Sequence, residues 1–477
     1  MRSLQAHLLG RRLLTRRPRR QYKRSSYIPG RLRTADQSSD LAVRRVCMWL
    51  KTCLNSEEHH ICRKPNLYPD SLPSRLLEIG FEDGYVRVVG FPQTKCHEPY
   101  ADYVALSHCW GPPTNRRLTL ERNTIERLMR GIRIDELPAN FRDAVSVTRA
   151  MGGIRYIRID SLCILHDDTN DWMKEATKMG NIYADAVLTI SALGSTDYSA
   201  GCFSTFEKRL DRPYVSADTR SIGRPCFPNA APLVEEPTSD KPKQLHKAGG
   251  QDFAIIKAHP GRIYITREWM PSSSDSESST PGTYRVGEFG AGWDPISDEP
   301  LSTRGWTLQE RVISRRIIHF GTDELFWECQ HLKVAEDGAV LPNRLPSFRD
   351  LSNWRGSSRW PLRNPWLNLI VNYSQRLLTR ETDTFPAILG LIASLEPARM
   401  NECASDIWAK DFVQGLLWYI DPKEKLRGNT VVRYPVERRA PSWSWAHLDA
   451  AVQYISMGAD LTARTLCLPR VSRKHGR

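Results

Sequence analysis

Between Tyr103 and Leu193 the chain alternates stretches that suit a buried strand with stretches that suit an amphipathic helix. "YVALSHCWG" reads as a short apolar strand closed by a glycine turn. "LPANFRDAVSVTRAMGG" brings Leu137, Phe141, Ala144, Val145 and Met151 near one helical face. Pro138 suits the first turn of that helix, and Gly152-Gly153 ends it. "IRYIRIDSLCIL" is a second strand, "DDTNDWMKEATKMGNIYADA" a second helix and "AVLTISAL" a third strand. Few topologies accept such a pattern. The economical one is a parallel sheet covered on both faces and joined by right-handed crossovers.

Open sheets of this kind hold ligands outside the carboxyl ends of their strands. Ser107, His108, Cys109 and Trp110 end the first strand, and Asp160, Ser161 and Cys163 end the second. These residues are therefore expected at one rim. Further on, "PLSTRGWTLQERVISRRIIHFGTDELFWEC" reads as a short helix and a hairpin turning at Gly321-Thr322-Asp323. The expected class is α/β, with a parallel-sheet core, an added β-hairpin and a mainly helical C-terminal region. Residues 1–40 read as a disordered basic arm and 41–100 as a lead-in with one helix and one strand. The main unit spans 101–350, with a mobile Pro-, Ser- and charge-rich insertion near 211–300. Residues 351–477 carry helical stretches at "WLNLIVNYSQRLL", "FPAILGLIASL" and "WAKDFVQGLLWYI".

The net charge of +14 invites a nucleic-acid reading, but its location argues against one. Met1–Ala35 holds 11 Lys and Arg with no acid, and Arg470–Arg477 holds 4 more. Those cations account for the whole excess, so the body is close to neutral. Trp443 and Trp445 alternate as on a strand, with both expected to face the core rather than a base. No apolar run reaches the ~18 residues of a membrane span. The 11 cysteines are scattered, odd in number and without a C-x-x-C pair, which fits free thiols in a reducing compartment. The cytoplasm is the expected location. The Arg-rich start fits a mitochondrial presequence only loosely, because Pro18 and the dense arginines spoil an amphipathic helix.

The acids that follow the second strand have an ordinary explanation. Asp167 or Asp168 can cap the next helix, and Asp171 complements its dipole. Trp172, Ala176, Met179 and Tyr183 form the expected buried stripe. Glu175 lies beside that stripe and four residues after Asp171, so two like charges share a side. Either Lys174 and Lys178 offset them, or Glu175 serves a ligand. Arg304, Trp306, Gln309 and Glu310 in "TRGWTLQER" offer a polar wall or a protein interface, unless Ser302 or Thr303 caps the helix and the rest packs. Cys53, His59, His60 and Cys62 have irregular spacing for zinc and no following cysteine pair. Packing is the expected role there, and no metal is assigned. Adjacent His108 and Cys109 do not read as a nucleophile and its base, since strand neighbours face opposite ways.

These motifs, with "GCF" and "STRGWTLQERVISRRIIHFGTDELFWEC", closely resemble the HET domain of fungal heterokaryon incompatibility proteins. "YSQRLLT", "LLWYI" and "APSWSWAHLD" resemble the tail of long members, and "WLKTCLNSEEHHICRK" their lead-in. The resemblance implies a factor that senses non-self after cell fusion and triggers regulated cell death through protein partners. It also implies a fold distantly similar to TIR domains, some of which hydrolyse NAD with a Glu behind a Trp. By that likeness Glu175, three residues after Trp172, is the candidate catalytic group and NAD a candidate substrate. Ser107, Trp110, Asp160, Ser161 and Trp172 would shape the pocket. No cofactor is otherwise implied. The Trp-to-Glu spacing departs by one from the TIR pattern. His108 stands where members usually carry Tyr, and Arg158 where they usually carry Trp. A buried arginine in a strand is costly unless it reaches an acid.

Overall fold

The computed structural model describes residues 34, 36–63, 73–80, 82–90, 102–111, 118–204, 256–257, 262–263, 295–297, 299–336, 338, 340–341, 345–354, 364–399, 403–420 and 433–455. Most of the 1–40 basic arm, most of the 211–300 insertion and the basic C-terminal tail lie outside these residues.

One nine-stranded sheet organises the chain. Its strands are β1 (Arg75–Glu78), β2 (Tyr85–Gly90), β3 (Tyr103–Ser107), β4 (Ile132–Arg133), β5 (Tyr156–Ile159), β6 (Leu188–Ser191), β7 (Arg316–Phe320), β8 (Leu325–Cys329) and β9 (Lys333–Ala335). Across the sheet the order is β9-β8-β7-β6-β3-β5-β1-β2-β4. The four central strands β5, β3, β6 and β7 are parallel. They stand in the order second, first, third, fourth, so the winding reverses between β3 and β6. That reversal is the place where doubly wound sheets open a crevice.

Antiparallel strands flank this core on both sides. The β7–β8–β9 meander closes one side, and β1, β2 and β4 extend the other. The parallel expectation thus holds for the centre alone. The segment "RLLE" is too short to show a period, and it pairs antiparallel with β5.

Side chains of β3 alternate between the faces, as the pleat requires. Val104 and Leu106 pack with α1 (Asp40–Asn55) and α3 (Ala139–Met151), while Tyr103 and Ala105 pack with α5 (Thr169–Asp185). The shorter α2 (Ile125–Arg130) lies against β2. The second strand ends at Ile159, earlier than its apolar run implies. A helical turn, α4 (Asp160–Cys163), follows, because the Asp160 carboxylate is taken by Arg158 and Tyr183 at the sheet edge. Asp168 caps α5 by accepting from the N–H groups of Asn170 and Asp171, worth about 1 kcal/mol.

On the α5 side, α6 (Trp306–Ile313) and α9 (Pro386–Arg399) complete a layer that also includes α7 (Phe348–Asn353) and α8 (Pro365–Ser374). A Cβ on Gly180 of α5 would sit 2.9 Å from the carbonyl oxygen of Gly390 on α9. Only glycine lets these two backbones approach so closely.

Three local expectations fail here. "WAKDFVQGLLWYI" is helical only from a 3₁₀ turn at Ala409–Asp411 through Phe412–Gly415, and Trp418–Ile420 then pairs as a strand with Val452–Tyr454. Trp445 is buried in a 3₁₀ turn, whereas Trp443 is 38% exposed, so the two do not share a strand face. Neither Ser302 nor Thr303 caps α6; Gly305 holds the cap position and no side chain bonds there. Among the described residues no helix is long and apolar enough to cross a membrane.

Candidate functional site

The register fixes what meets at the carboxyl rim. Leu106 of β3 stands opposite Ile159 of β5, so Ser107 and Asp160 emerge side by side. Ser107 stands opposite Ser191 of β6, and Ser191 opposite His319 of β7. Helix α6 then places Glu310 over this row, where its carboxylate accepts the Ser107 hydroxyl. Tyr183 of α5 holds its hydroxyl 3.1 Å from the Asp160 carboxylate and 3.2 Å from the Leu106 carbonyl. All four side chains are buried. Burial, and then the charge of Asp160, pushes the Glu310 carboxyl up to about 8, against the hydrogen bond from Ser107. At neutral pH Glu310 therefore carries its proton.

Glu175 is fully buried and belongs to the α5 stripe itself; Trp172 and Ala176 at the expected stripe positions are only half-buried. Its carboxylate lies 2.8 Å from Arg158 and accepts from the Ser74 N–H at 3.3 Å. Arg158 also reaches Asp160 at 2.9 Å. Burial works against the Arg158 charge, yet Asp160, Cys163 and Glu175 more than offset it and hold the guanidinium above its ordinary range. This pairing answers the cost of an arginine inside the sheet. Asp171 pairs with Arg75 and Glu175 with Arg158.

The remaining predicted residues divide into separate contacts. Trp110 stacks on His108 at 6.3 Å and meets His166 edge-on at 5.0 Å. Ser161 is buried with no hydrogen-bond partner for its hydroxyl among the described residues, and it lines a small cavity with His108, Trp110 and Phe141. Trp172 meets Trp306 edge-on at 6.3 Å, and the Trp306 indole donates to Asp383 at 3.1 Å. Gln309 is fully buried and accepts from the Leu391 N–H of α9 at 3.0 Å. The Arg304 carbonyl accepts from Arg376 at 3.2 Å. Of the "TRGWTLQER" residues, Glu310 and Arg311 reach the rim; Trp306 and Gln309 engage α5 and the C-terminal region. Burial pushes the Cys109 and Cys163 thiols up to about 11 and His108 down to about 4, so none forms an activated nucleophile pair.

Sequence reasoning missed a second chain of hydrogen bonds at the same rim. His319 Nδ1 lies 3.0 Å from the Ser191 hydroxyl, and its Nε2 lies 3.0 Å from Glu328. Glu328 also takes Arg311 at 2.8 Å and Lys333 at 3.2 Å. Although burial opposes ionisation, Arg311, Lys333 and His319 hold Glu328 well below the usual carboxylate range. Burial lowers His319, with Glu328 pulling the other way. The available signal was the hairpin itself, whose tight turn at 321–324 brings Glu328 diagonal to His319. Ser107, Ser191, His319 and Arg311 line a cavity with room for little more than a water molecule. Away from this rim, Cys53, His59 and Cys62 are joined by Cys329, a residue the packing reading of 53–62 did not include.

Residues 103–310 match the family model described as "Heterokaryon incompatibility protein (HET)". No match was found among curated proteins or among solved structures. The matched stretch begins at Tyr103 of β3 and ends at Glu310, the residue that closes on Ser107. This segment, just under half of the chain, is similar to the HET family.

Proposed function

We propose that the chain is a heterokaryon incompatibility factor, which senses non-self after cell fusion and drives regulated death through protein contacts. The family match over 103–310 carries this reading. A physical feature supports it. Gln309 and Glu310 are neighbours on α6, yet one bonds to α9 and the other to the rim. Displacing α9 draws on the same short helix that seals Ser107, so an event in the C-terminal region has a route to the site. The absence of a disulfide among the eight cysteines of the described residues fits action in the cytoplasm. The test is inducible expression of the full chain in a filamentous fungal host, with hyphal growth and vital-dye uptake measured. Growth arrest and dye uptake support the reading, and normal growth at full protein abundance removes it.

A second reading is NAD hydrolysis of the TIR type. The order of the parallel strands, which is that of flavodoxin-like sheets, supports it, as do the acids gathered at their carboxyl ends. In this reading Glu175 stabilises a ribosyl cation as nicotinamide leaves, Trp172 stands behind it, and Ser107, Trp110, Asp160 and Ser161 border the substrate. It requires Arg158 to release Glu175. Incubating the purified chain with NAD, beside Glu175→Ala and Glu175→Gln, decides it. NAD that stays constant with wild type excludes the hydrolase.

A further inference from the structure

At the edge opposite the rim, where the parallel strands begin, four donor side chains converge. Cys53 closes α1, His59 and Cys62 sit on the 3₁₀ helix Glu57–Cys62, and Cys329 ends β8. One ligand atom from each lies within 4.8 Å of all the others, and all four residues are buried. Zinc with sulfur at about 2.3 Å and nitrogen at about 2.0–2.1 Å wants its donors roughly 3.5–3.8 Å apart in a tetrahedron. Cys329 Sγ already lies 3.5 Å from His59 Nδ1. We propose that Cys53, His59, Cys62 and Cys329 bind one structural zinc ion, which staples the lead-in to the central sheet.

The surroundings fit a metal thiolate better than a thiol cluster. Arg316 donates from Nε to Cys53 Sγ at 3.3 Å, and the Leu332 N–H donates to Cys329 Sγ at 3.3 Å. Such N–H donors orient and stabilise metal-bound sulfur. Three thiolates and a neutral imidazole around Zn²⁺ leave one negative charge, and the buried Arg316 guanidinium balances it. The same guanidinium donates to the Cys62 carbonyl at 2.7 Å, fixing the backbone that presents a ligand. Three soft sulfurs with one imidazole select zinc over the harder divalent ions. Four protein ligands leave no open position, which is the pattern of a structural site, not a catalytic one. The spacing within 53–62 looked irregular because the fourth ligand comes from 270 residues away.

Zinc binding is tested on the full chain, purified under reducing conditions without chelator, by inductively coupled plasma mass spectrometry and by cobalt substitution. The expected result is one zinc per chain and, after exchange, the visible absorption of tetrahedral cobalt bound to thiolate. Cys329→Ser is expected to lower retained zinc at least tenfold. His59→Cys, which supplies a fourth thiolate, is expected to keep it, and this variant separates ligand loss from general misfolding. Chelation is expected to speed proteolysis within 53–63. A wild-type chain that holds no zinc and takes up no cobalt overturns the site. So does a Cys53–Cys62 disulfide found by thiol counting, or a Cys329→Ser chain that keeps its full zinc.

Discussion

The hydroxyl of Ser107 donates to the carboxylate of Glu310, 203 residues later in the chain, and so closes the carboxyl rim of the parallel strands under helix α6. The bond joins the first strand of the HET segment to its last matched residue. Several consequences can be measured.

The acid at Glu310 makes stability depend on pH in an unusual sense. Its carboxyl rises from 4.5 to about 8 on folding, so between those values the folded chain holds a proton that the unfolded chain has lost. The group's contribution is fully present below about pH 4.5 and is lost as pH rises through about 8. Glu310→Gln removes the titration. Relative to this variant, the wild type is expected to lose on the order of a few kcal/mol between pH 5 and pH 8. Urea unfolding across that range measures the difference, and parallel curves for the two proteins would count against a protonated Glu310.

Arg158→Met leaves Glu175 and Asp160 buried without their cation. Breaking a buried pair from one side costs about 3–5 kcal/mol. Glu175→Gln is expected to cost less, because the amide still accepts from the Arg158 guanidinium. Chemical denaturation of both variants checks the order. A change below about 0.5 kcal/mol for Arg158→Met, the range of an ordinary surface substitution, would show that this pair does not hold the sheet to α5.

Gly390→Ala puts a methyl group 2.9 Å from the Gly180 backbone nitrogen. Backbone cannot yield as a side chain can, so α5 and α9 must part, at a cost of about 1–3 kcal/mol. Gln309 is bound to α9, so α6 is expected to loosen with it. Amide hydrogen exchange is expected to rise in α6 together with α9. A rise confined to α9 would disconnect the C-terminal region from the rim.

Much of this architecture is legible in the sequence because local pattern and final fold agree. The α5 helix, an Asp cap at 167 or 168, the β7–β8 turn and the shared rim of Ser107 and Asp160 all follow from period, turn chemistry and strand polarity. Arg158 signalled its own solution, since a buried guanidinium demands acids nearby. The rest depends on pairings that no local pattern encodes. Nothing in "RLLE" announces an antiparallel neighbour for β5. Cys329 meets Cys53 only when the β8 end is laid beside α1. Trp443 and Trp445 alternate in sequence, but the 3₁₀ turn at Trp445–His447 separates their environments.

The most direct test compares wild type, Glu310→Ala and Glu310→Gln, expressed at equal abundance in a filamentous fungal host, with growth arrest as the readout. Arrest by wild type, retained in part by the neutral hydrogen-bonding Gln and abolished by Ala, is the expected result. Equal arrest by wild type and Glu310→Ala would contradict a functional role for the rim that Ser107 and Glu310 close.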